Sequence, residues 1–372
     1  SRWPYSFLRA PHRTSHQHES VNDQELQLPG LWIGDEMNEV TTARTYNQNH
    51  IPREHTPGRR RVSIYVSWSY PAEAGRNPAE LDNRFSTMTE VRRVTWPAYE
   101  GPKWSEPSQF QQGIAGSLEL FFLAWVPFQQ FVEETTGHPV PVYQRIDQAG
   151  FHTPLDERVL ADTDTLFVFG LDHMITGQEP GPGEIEALRA FLGREDARLV
   201  LGPHHDVGAS DDLTVREIEY CHHGDPLVPR QQRFATYVRG LMQGLGVPVE
   251  NRYGLRPAVQ GPNRIAPFSP VRDADTRGWL DGVTNFNFHQ HLPHYAVTSD
   301  EPDIHLLARQ PIDTSRPHPF IEAGNTEFNM FLWMPPSGER AGDVLLADST
   351  IFSSLFGGDE SLRNFWRNLV TK

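Results

Sequence analysis

The sequence has only one cysteine, Cys221, among 372 residues. A single thiol cannot close an internal disulfide, and it cannot supply the several thiolates of a cysteine-rich zinc site. Basic residues are also scarce: 33 lysines and arginines stand against 48 aspartates and glutamates, a formal net charge of -15 at pH 7. Binding to nucleic-acid phosphates or to an anionic membrane surface requires a basic face, so we expect neither partner.

Long apolar runs and nucleotide motifs are missing as well. The longest apolar stretch, residues 113–128, contains Ser117, Glu119 and Pro127, so it is too short and too polar to span a membrane. The sequence has no GxGxxG motif, phosphate-binding loop or GxSxG motif, so nucleotide binding and serine-hydrolase chemistry have no support. We therefore expect a soluble, cytoplasmic protein, and a single thiol is equally compatible with export.

The sequence does contain strand and helix patterns that alternate between residues 61 and 245, which predicts an α/β fold with a parallel sheet. Strands are expected at 61–68, 91–95, 140–146, 165–170 and 197–202, and Pro141 favours an edge position for the third of them. Helices are expected at 108–136, 182–192 and 229–245. Strands at 304–309, 327–333 and 343–346 and a helix at 361–369 complete the prediction.

The first 60 residues are polar and irregular, and we expect them to form an extended N-terminal arm. The arm nevertheless contains six large apolar residues, namely Trp3, Tyr5, Phe7, Leu8, Leu31 and Trp32. They predict that the arm docks on the domain or on a second subunit, which would make the protein a homo-oligomer. Residues 61–372 are expected to form one α/β domain with a β-rich insertion near residues 250–300.

Three consecutive stretches carry a resemblance to a known family. Residues 164–170 read as an apolar strand, 182–192 as a helix with an acidic first turn, and 198–204 as a strand that enters a sharp turn. The chain end, with a strand at 342–349 and a helix at 364–369, is similar to the end of the same domains. This order resembles the class I glutamine amidotransferase-like superfamily and its ThuA-like branches. The resemblance implies a flavodoxin-like parallel sheet flanked by helices.

The chain departs from that family at the reactive positions. An amidotransferase has a nucleophilic cysteine in the turn after the strand and a His-x-Glu pair later in the chain. Here the turn carries His204 and His205, and no matching pair follows. The resemblance therefore implies the fold without glutaminase chemistry.

Histidine clusters are the strongest functional signal, since seven of the 17 histidines lie within residues 204–206, 221–225 and 289–294. The first cluster directly follows a buried strand, and ligands of open parallel sheets bind beyond the carboxyl ends of the strands. In the third cluster, His289 and His291 alternate with phenylalanines, so a strand would place both imidazoles on one face. The predicted ligands of a zinc or iron ion are His204, His205, His289 and His291.

Two ordinary explanations for these histidines stay open. The residues of the 204–206 turn could serve only to satisfy local backbone groups, and His289 and His291 could face solvent on an edge strand.

Four further residues are candidates for catalysis: Asp206, His223, Cys221 and His173. Asp206 and His223 would orient an imidazole or transfer a proton, and Asp225 could orient an imidazole. If residues 221–225 form a strand, His222 and His223 face opposite ways, so only one of them could share a site with His204 or His205. Cys221 could be a nucleophile, although a lone cysteine is more often a small buried apolar residue. His173 follows another predicted strand, so it should lie near His204.

These residues together indicate a metal-dependent hydrolase that acts on a small molecule. Two alternatives remain: a metal-independent hydrolase or lyase that uses Cys221 or a histidine, and a binding module without catalytic activity.

Overall fold

A mixed sheet forms the centre of the protein. The structure, a computed structural model, describes residues 52–68, 125–145, 152–172, 174, 177–224, 231, 233–261, 264–287, 289, 291–299, 303–353 and 360–372. The strands in these residues are β1 (Val62–Trp68), β2 (Val142–Gln144), β3 (Thr165–Leu171), β4 (Arg198–Pro203), β5 (Val249–Leu255), β6 (Ser269–Pro270), β7 (Leu292–Val297), β8 (His305–Pro311), β9 (Glu327–Met334) and β10 (Asp343–Ala347).

Eight of these strands form one sheet in the order β2-β1-β3-β4-β10-β9-β8-β6. The first five are parallel to one another, which confirms the predicted flavodoxin-like α/β class. The strands β9, β8 and β6 extend the sheet in antiparallel fashion. The sequence predicted strands for β8 and β9 but not their direction, since side chains alternate in the same way in both kinds of sheet.

Helices flank the sheet on both sides. They are α1 (125–136), α2 (Glu157–Leu160), α3 (Pro182–Leu192), α4 (Leu213–His223), α5 (Thr236–Gly244), α6 (Pro319–Glu322) and α7 (Glu360–Thr371). Among the residues described, no helix combines the length and the apolar character that crossing a membrane would require.

The strand β3 shows how the two layers of helices attach. Phe167 and Phe169 point to one face, where Phe167 packs edge-on against Phe128 of α1 at a centroid distance of 5.1 Å. Leu166 and Val168 point to the opposite face and join the core that contains apolar residues of α3 and α5. A strand that is apolar on both faces must be covered on both, so the continuous apolar run of β3 dictates a three-layer arrangement.

Proline and glycine residues in the sequence predicted the ends or positions of several elements correctly. Pro182 begins α3 and Gly193 caps its end, as predicted. The strand β2, which follows Pro141, lies at an edge of the described sheet. The predicted helix at 229–245 is helical only from Thr236 in the described part of the chain.

Parts of the prediction lie outside the described residues, namely residues 1–51 of the arm, the 91–95 strand and the first half of the 108–136 helix. The described end of the arm includes Arg53, which is buried and whose Nε lies 3.3 Å from Asp162 Oδ2. The region near 250–300 contains β5 and β7, which form a separate two-stranded antiparallel sheet.

Candidate metal centre

The carboxyl ends of β4 and β10 approach closely and place three polar residues side by side. The strand β4 runs into His204 and His205, and β10 runs into Asp348. A glycine permits this approach, because a Cβ on Gly202 would lie 3.1 Å from the carbonyl oxygen of Ala347. The polar cluster therefore lies at the edge of the sheet where the strand-end argument predicted it.

Asp348 faces both imidazoles of the turn. Its Oδ1 lies 3.6 Å from His204 Nδ1, and its Oδ2 lies 3.9 Å from His205 Nδ1. All three side chains are buried. Burial alone would raise the pKa of Asp348, but the two imidazoles hold that pKa well below its usual range. The cluster thus contains a buried carboxylate in its ionised form.

The strand β5 fixes the position of the same turn from another side. A register shift separates Asn251 from Gly254 in the pairing of β5 with β7. A Cβ on Gly254 would lie 2.1 Å from Cδ2 of the His205 ring, so only glycine leaves room for that ring. Asn251 Nδ2 also donates to the carbonyl oxygen of His204 at 2.7 Å.

The helix α4 supplies the next imidazole. Residues 221–225 were interpreted as a strand, and this prediction is wrong for its described part, because α4 continues to His223. Asp212 caps the start of the helix by accepting two backbone N–H groups, and Gly224 ends it with a left-handed φ of 72°. An aspartate before the helix and a glycine after it are the capping residues typical of a helix, and both are visible in the sequence.

The last two residues of α4 point to different surroundings. His223 Nε2 lies 3.2 Å from His205 Nε2. His222 instead accepts the backbone N–H of Arg256 at 3.1 Å, and its ring lies 4.9 Å from that of His318. The expectation that only one of the pair could share a site with the 204–205 turn matches this arrangement, although a helix and not a strand separates the two rings.

His289 and His291 approach the cluster from the segment before β7. The ring of His291 stacks on that of His223 at 3.7 Å and lies 4.6 Å from that of His205. The strand predicted for this pair is absent from the described residues, since β7 begins at Leu292. His289 Nδ1 donates to the His291 carbonyl oxygen, a local hydrogen bond that competes with an extended backbone.

Three of these imidazoles form a compact group, which we call the three-histidine group: His205, His223 and His291. Their ligand nitrogens all lie within 4.8 Å of one another. Burial, reinforced by the neighbouring histidines, lowers the pKa of His205 to about 3 and places those of His223 and His291 well below the usual range. All three are therefore neutral at pH 7, the state in which an imidazole binds a metal.

The spacing within this group is that of metal ligands. Two nitrogens bound tetrahedrally to one zinc ion at about 2.0–2.1 Å lie about 3.3–3.4 Å apart. The Nε2 atoms of His205 and His223 are 3.2 Å apart. The same distance also suits one Nε2–H···Nε2 hydrogen bond between the two rings.

Two of the predicted catalytic residues contact other groups. The Asp206 carboxylate forms ion pairs with Arg233 at 3.0 Å and with Arg239 at 2.9 Å, and it accepts the Phe234 backbone N–H. Cys221 is exposed on α4. The Asp206 carboxylate thus connects the turn after β4 to the segment before α5, and Cys221 lies on the surface.

The remaining predictions and omissions concern single residues. His173 and Asp225 lie outside the described residues. The strand β3, which precedes His173, does pair in parallel with β4, and the backbone N–H of His204 donates to the carbonyl oxygen of Gly170 at 3.0 Å. Sequence reasoning missed Asp348, although the strand-end argument applied to the predicted 343–346 strand would have found it. It also missed His318, which lies just before α6 and has no spacing signal.

Comparison with known proteins yields little beyond the fold. No protein-family model matches the chain, and no curated protein matches it. A solved structure of a ThuA-like protein from Bacteroides uniformis ATCC 8492 resembles it with a TM-score of 0.36 and 8% sequence identity, over 87% of this chain and 96% of that chain. The resemblance to ThuA-like proteins that the sequence predicted is thus also found among solved structures, where it is weak. No residue role is transferred from it.

Proposed function

We propose that the protein is a metal-dependent hydrolase that acts on a small molecule and binds zinc or iron through the three-histidine group. The observation that carries the proposal is the convergence of His205, His223 and His291, which are buried and whose ligand nitrogens lie within 4.8 Å of one another. This ligand set differs from the one expected from sequence, because His223 joins it from α4. His204 and His289 lie next to the group: the His204 ring is 4.1 Å from that of His205, and the His289 ring is 4.5 Å from that of His291.

Three histidine ligands are typical of catalytic zinc sites, which keep a further position open for water or substrate. A metal ion in such a site polarises a carbonyl group or activates water. The chain contributes a buried carboxylate beside the group, since Asp348 Oδ2 lies 3.9 Å from His205 Nδ1. Its negative charge stabilises a divalent cation in surroundings that exclude water.

The metal-independent alternative has weaker support from the geometry. The Cys221 Sγ is exposed and lies 3.7 Å from Glu217 Oε1. Nucleophilic cysteines are activated by a cationic or imidazole neighbour, whereas the group beside this Sγ is a carboxylate. The buried histidines of the centre could still act as acid or base without a metal, and the experiment below separates these cases.

The test compares three proteins, wild type, Cys221→Ala and His205→Ala, each stripped of metal and each reconstituted with zinc or ferrous iron. Hydrolysis of a panel of esters, lactones, amides and phosphate esters is measured. We expect activity only in reconstituted wild type and reconstituted Cys221→Ala, at similar rates, because the exposed thiol takes no part. Activity in stripped wild type that Cys221→Ala abolishes would support the metal-independent enzyme instead. Metal binding without activity on any of these substrates would support the binding module.

A further inference from the structure

We propose that the centre binds a second divalent metal ion between His204, His205 and Asp348, and that His205 bridges the two ions through its two ring nitrogens. This inference rests on the proposed metal-dependent function and goes beyond it, because a mononuclear hydrolase needs only the three-histidine group. We call the second set of ligands the carboxylate group.

The argument begins with the position of the His205 ring, which belongs to both groups. Its Nε2 lies 3.2 Å from His223 Nε2, on the side of the three-histidine group. Its Nδ1 lies 3.9 Å from Asp348 Oδ2, on the side of the carboxylate group. The two nitrogens of an imidazole point away from each other, so one ring can offer a ligand to each of two ions.

The distances in the carboxylate group are longer than those of ordinary hydrogen bonds. His204 Nδ1 and Asp348 Oδ1 are 3.6 Å apart, whereas N–H···O bonds in proteins span about 2.7–3.2 Å. For metal–ligand bonds of about 2.0–2.2 Å, neighbouring donors of a tetrahedral ion lie about 3.3–3.6 Å apart. A shift of a few tenths of an ångström would therefore close this set of donors around an ion.

Asp348 Oδ1 already accepts the Thr350 backbone N–H at 2.8 Å, but three other atoms of the carboxylate group have no such contact. The Nδ1 atoms of His204 and His205 and Oδ2 of Asp348 are all buried without a hydrogen-bond partner. Such groups are rare in folded proteins, and an ion is one of the standard reasons for them. Arg233 and Arg239, the nearby cationic side chains, form ion pairs with Asp206. A divalent cation would balance the Asp348 charge and satisfy all three donors at once.

Metal binding by both ring nitrogens of His205 requires the loss of one proton from the imidazole. A neutral imidazole carries one N–H, so His205 must release that proton to solvent before both of its nitrogens can bind metal. His204 is expected to bind as a neutral imidazole and Asp348 as a carboxylate, so neither needs to release a proton. Binding of the second ion therefore releases one proton, and no oxidant or reductant takes part.

The experiment counts zinc ions per chain by elemental analysis after saturation with zinc and removal of loosely bound metal. We expect two for wild type, one for Asp348→Asn and none for His205→Ala. Asp343→Asn is the matched control, because Asp343 is a buried carboxylate at the opposite end of β10 and accepts the Trp333 indole N–H at 2.9 Å, which an asparagine oxygen can also do. This control should keep two ions.

A second readout uses copper(II) as the probe. Two copper ions joined by one imidazolate couple magnetically, so the paramagnetic resonance signal of copper-loaded wild type should be much weaker than its copper content requires. Asp348→Asn should regain a signal proportional to its single copper. One ion per wild-type chain, or two ions in Asp348→Asn, would overturn the second site and leave the mononuclear hydrolase standing. No bound ion in wild type would overturn both proposals.

Discussion

Replacing His223 by alanine is expected to weaken zinc binding at least about 100-fold, because the loss of a direct ligand should exceed the 10–100-fold effect of losing an outer-shell partner. His223 contributes the Nε2 atom that lies 3.2 Å from His205 Nε2, and no other histidine of α4 reaches this position. The measurement is a competition titration of zinc against a chelator of known affinity.

The adjacent residue supplies the matched control for this substitution. His222→Ala removes a buried imidazole from the same helical turn, but His222 contacts Arg256 and His318 and does not contact the three-histidine group. We expect its zinc affinity to stay within a few-fold of wild type. Equal losses in both variants would show that the helix end, rather than a ligand, had been disturbed, and unchanged affinity in His223→Ala would remove His223 from the site.

Acidification is expected to unfold the metal-free protein between pH 6 and pH 5, well above the range in which carboxylates usually titrate. Burial lowers the pKa of His205 and His318 to about 3 and that of His222 and His294 to about 4. The pKa values of His223 and His291 are also well below the usual range. All six side chains are buried in the folded state.

The direction of the effect follows from proton binding. Below the unfolded-state pKa of about 6.5, each of these histidines binds a proton in the unfolded chain but stays neutral in the folded protein. The free energy of unfolding therefore falls as the pH falls. At pH 5 this amounts to about 2 kcal/mol for each histidine, or about 12 kcal/mol for six, which is comparable to a typical total stability of 5–15 kcal/mol. Burial raises the pKa of Asp172 and Glu219, which opposes the loss, but these carboxyl groups begin to contribute only at lower pH.

The test is the free energy of urea unfolding from pH 8 to pH 5 in the presence of a chelator. Stability should be nearly constant above pH 7 and fall steeply below about pH 6.5. A constant free energy between pH 7 and pH 5 would contradict the account, because the six histidines would then titrate normally in the folded protein.

Elements of the fold could be predicted from the sequence where a pattern within a few neighbouring residues determines the structure. The apolar run of β3, the proline and glycine at the ends of α3 and the proline before β2 each describe a constraint within a few residues. The direction of β8 and β9 could not be predicted, since it depends on pairing between residues far apart in the sequence. The limit is different for α4, because Asp212 and Gly224 are local capping residues typical of a helix and only the packing of that helix depends on distant residues.

The candidate site was predictable at its first element and less so at the others. His204 and His205 follow a strand whose end faces the ligand-binding edge of any open parallel sheet. Asp348 obeys the same rule, but its strand lies far along the chain and pairs with β4 only in three dimensions. The position of His223 depends on how α4 packs. The contacts of Asp206 are with two arginines that lie 27 and 33 residues further along the chain, so neither arrangement could be predicted from residue spacing.

The most direct test of the account is the metal content of wild-type protein, measured as zinc and iron per chain on purification and again after incubation with each ion. We predict at least one tightly bound ion per chain, because three neutral imidazoles converge in a buried centre beside an ionised carboxylate. Much less than one ion per chain under all of these conditions would contradict the account. The histidines would then have to act as acid and base groups or as part of the core.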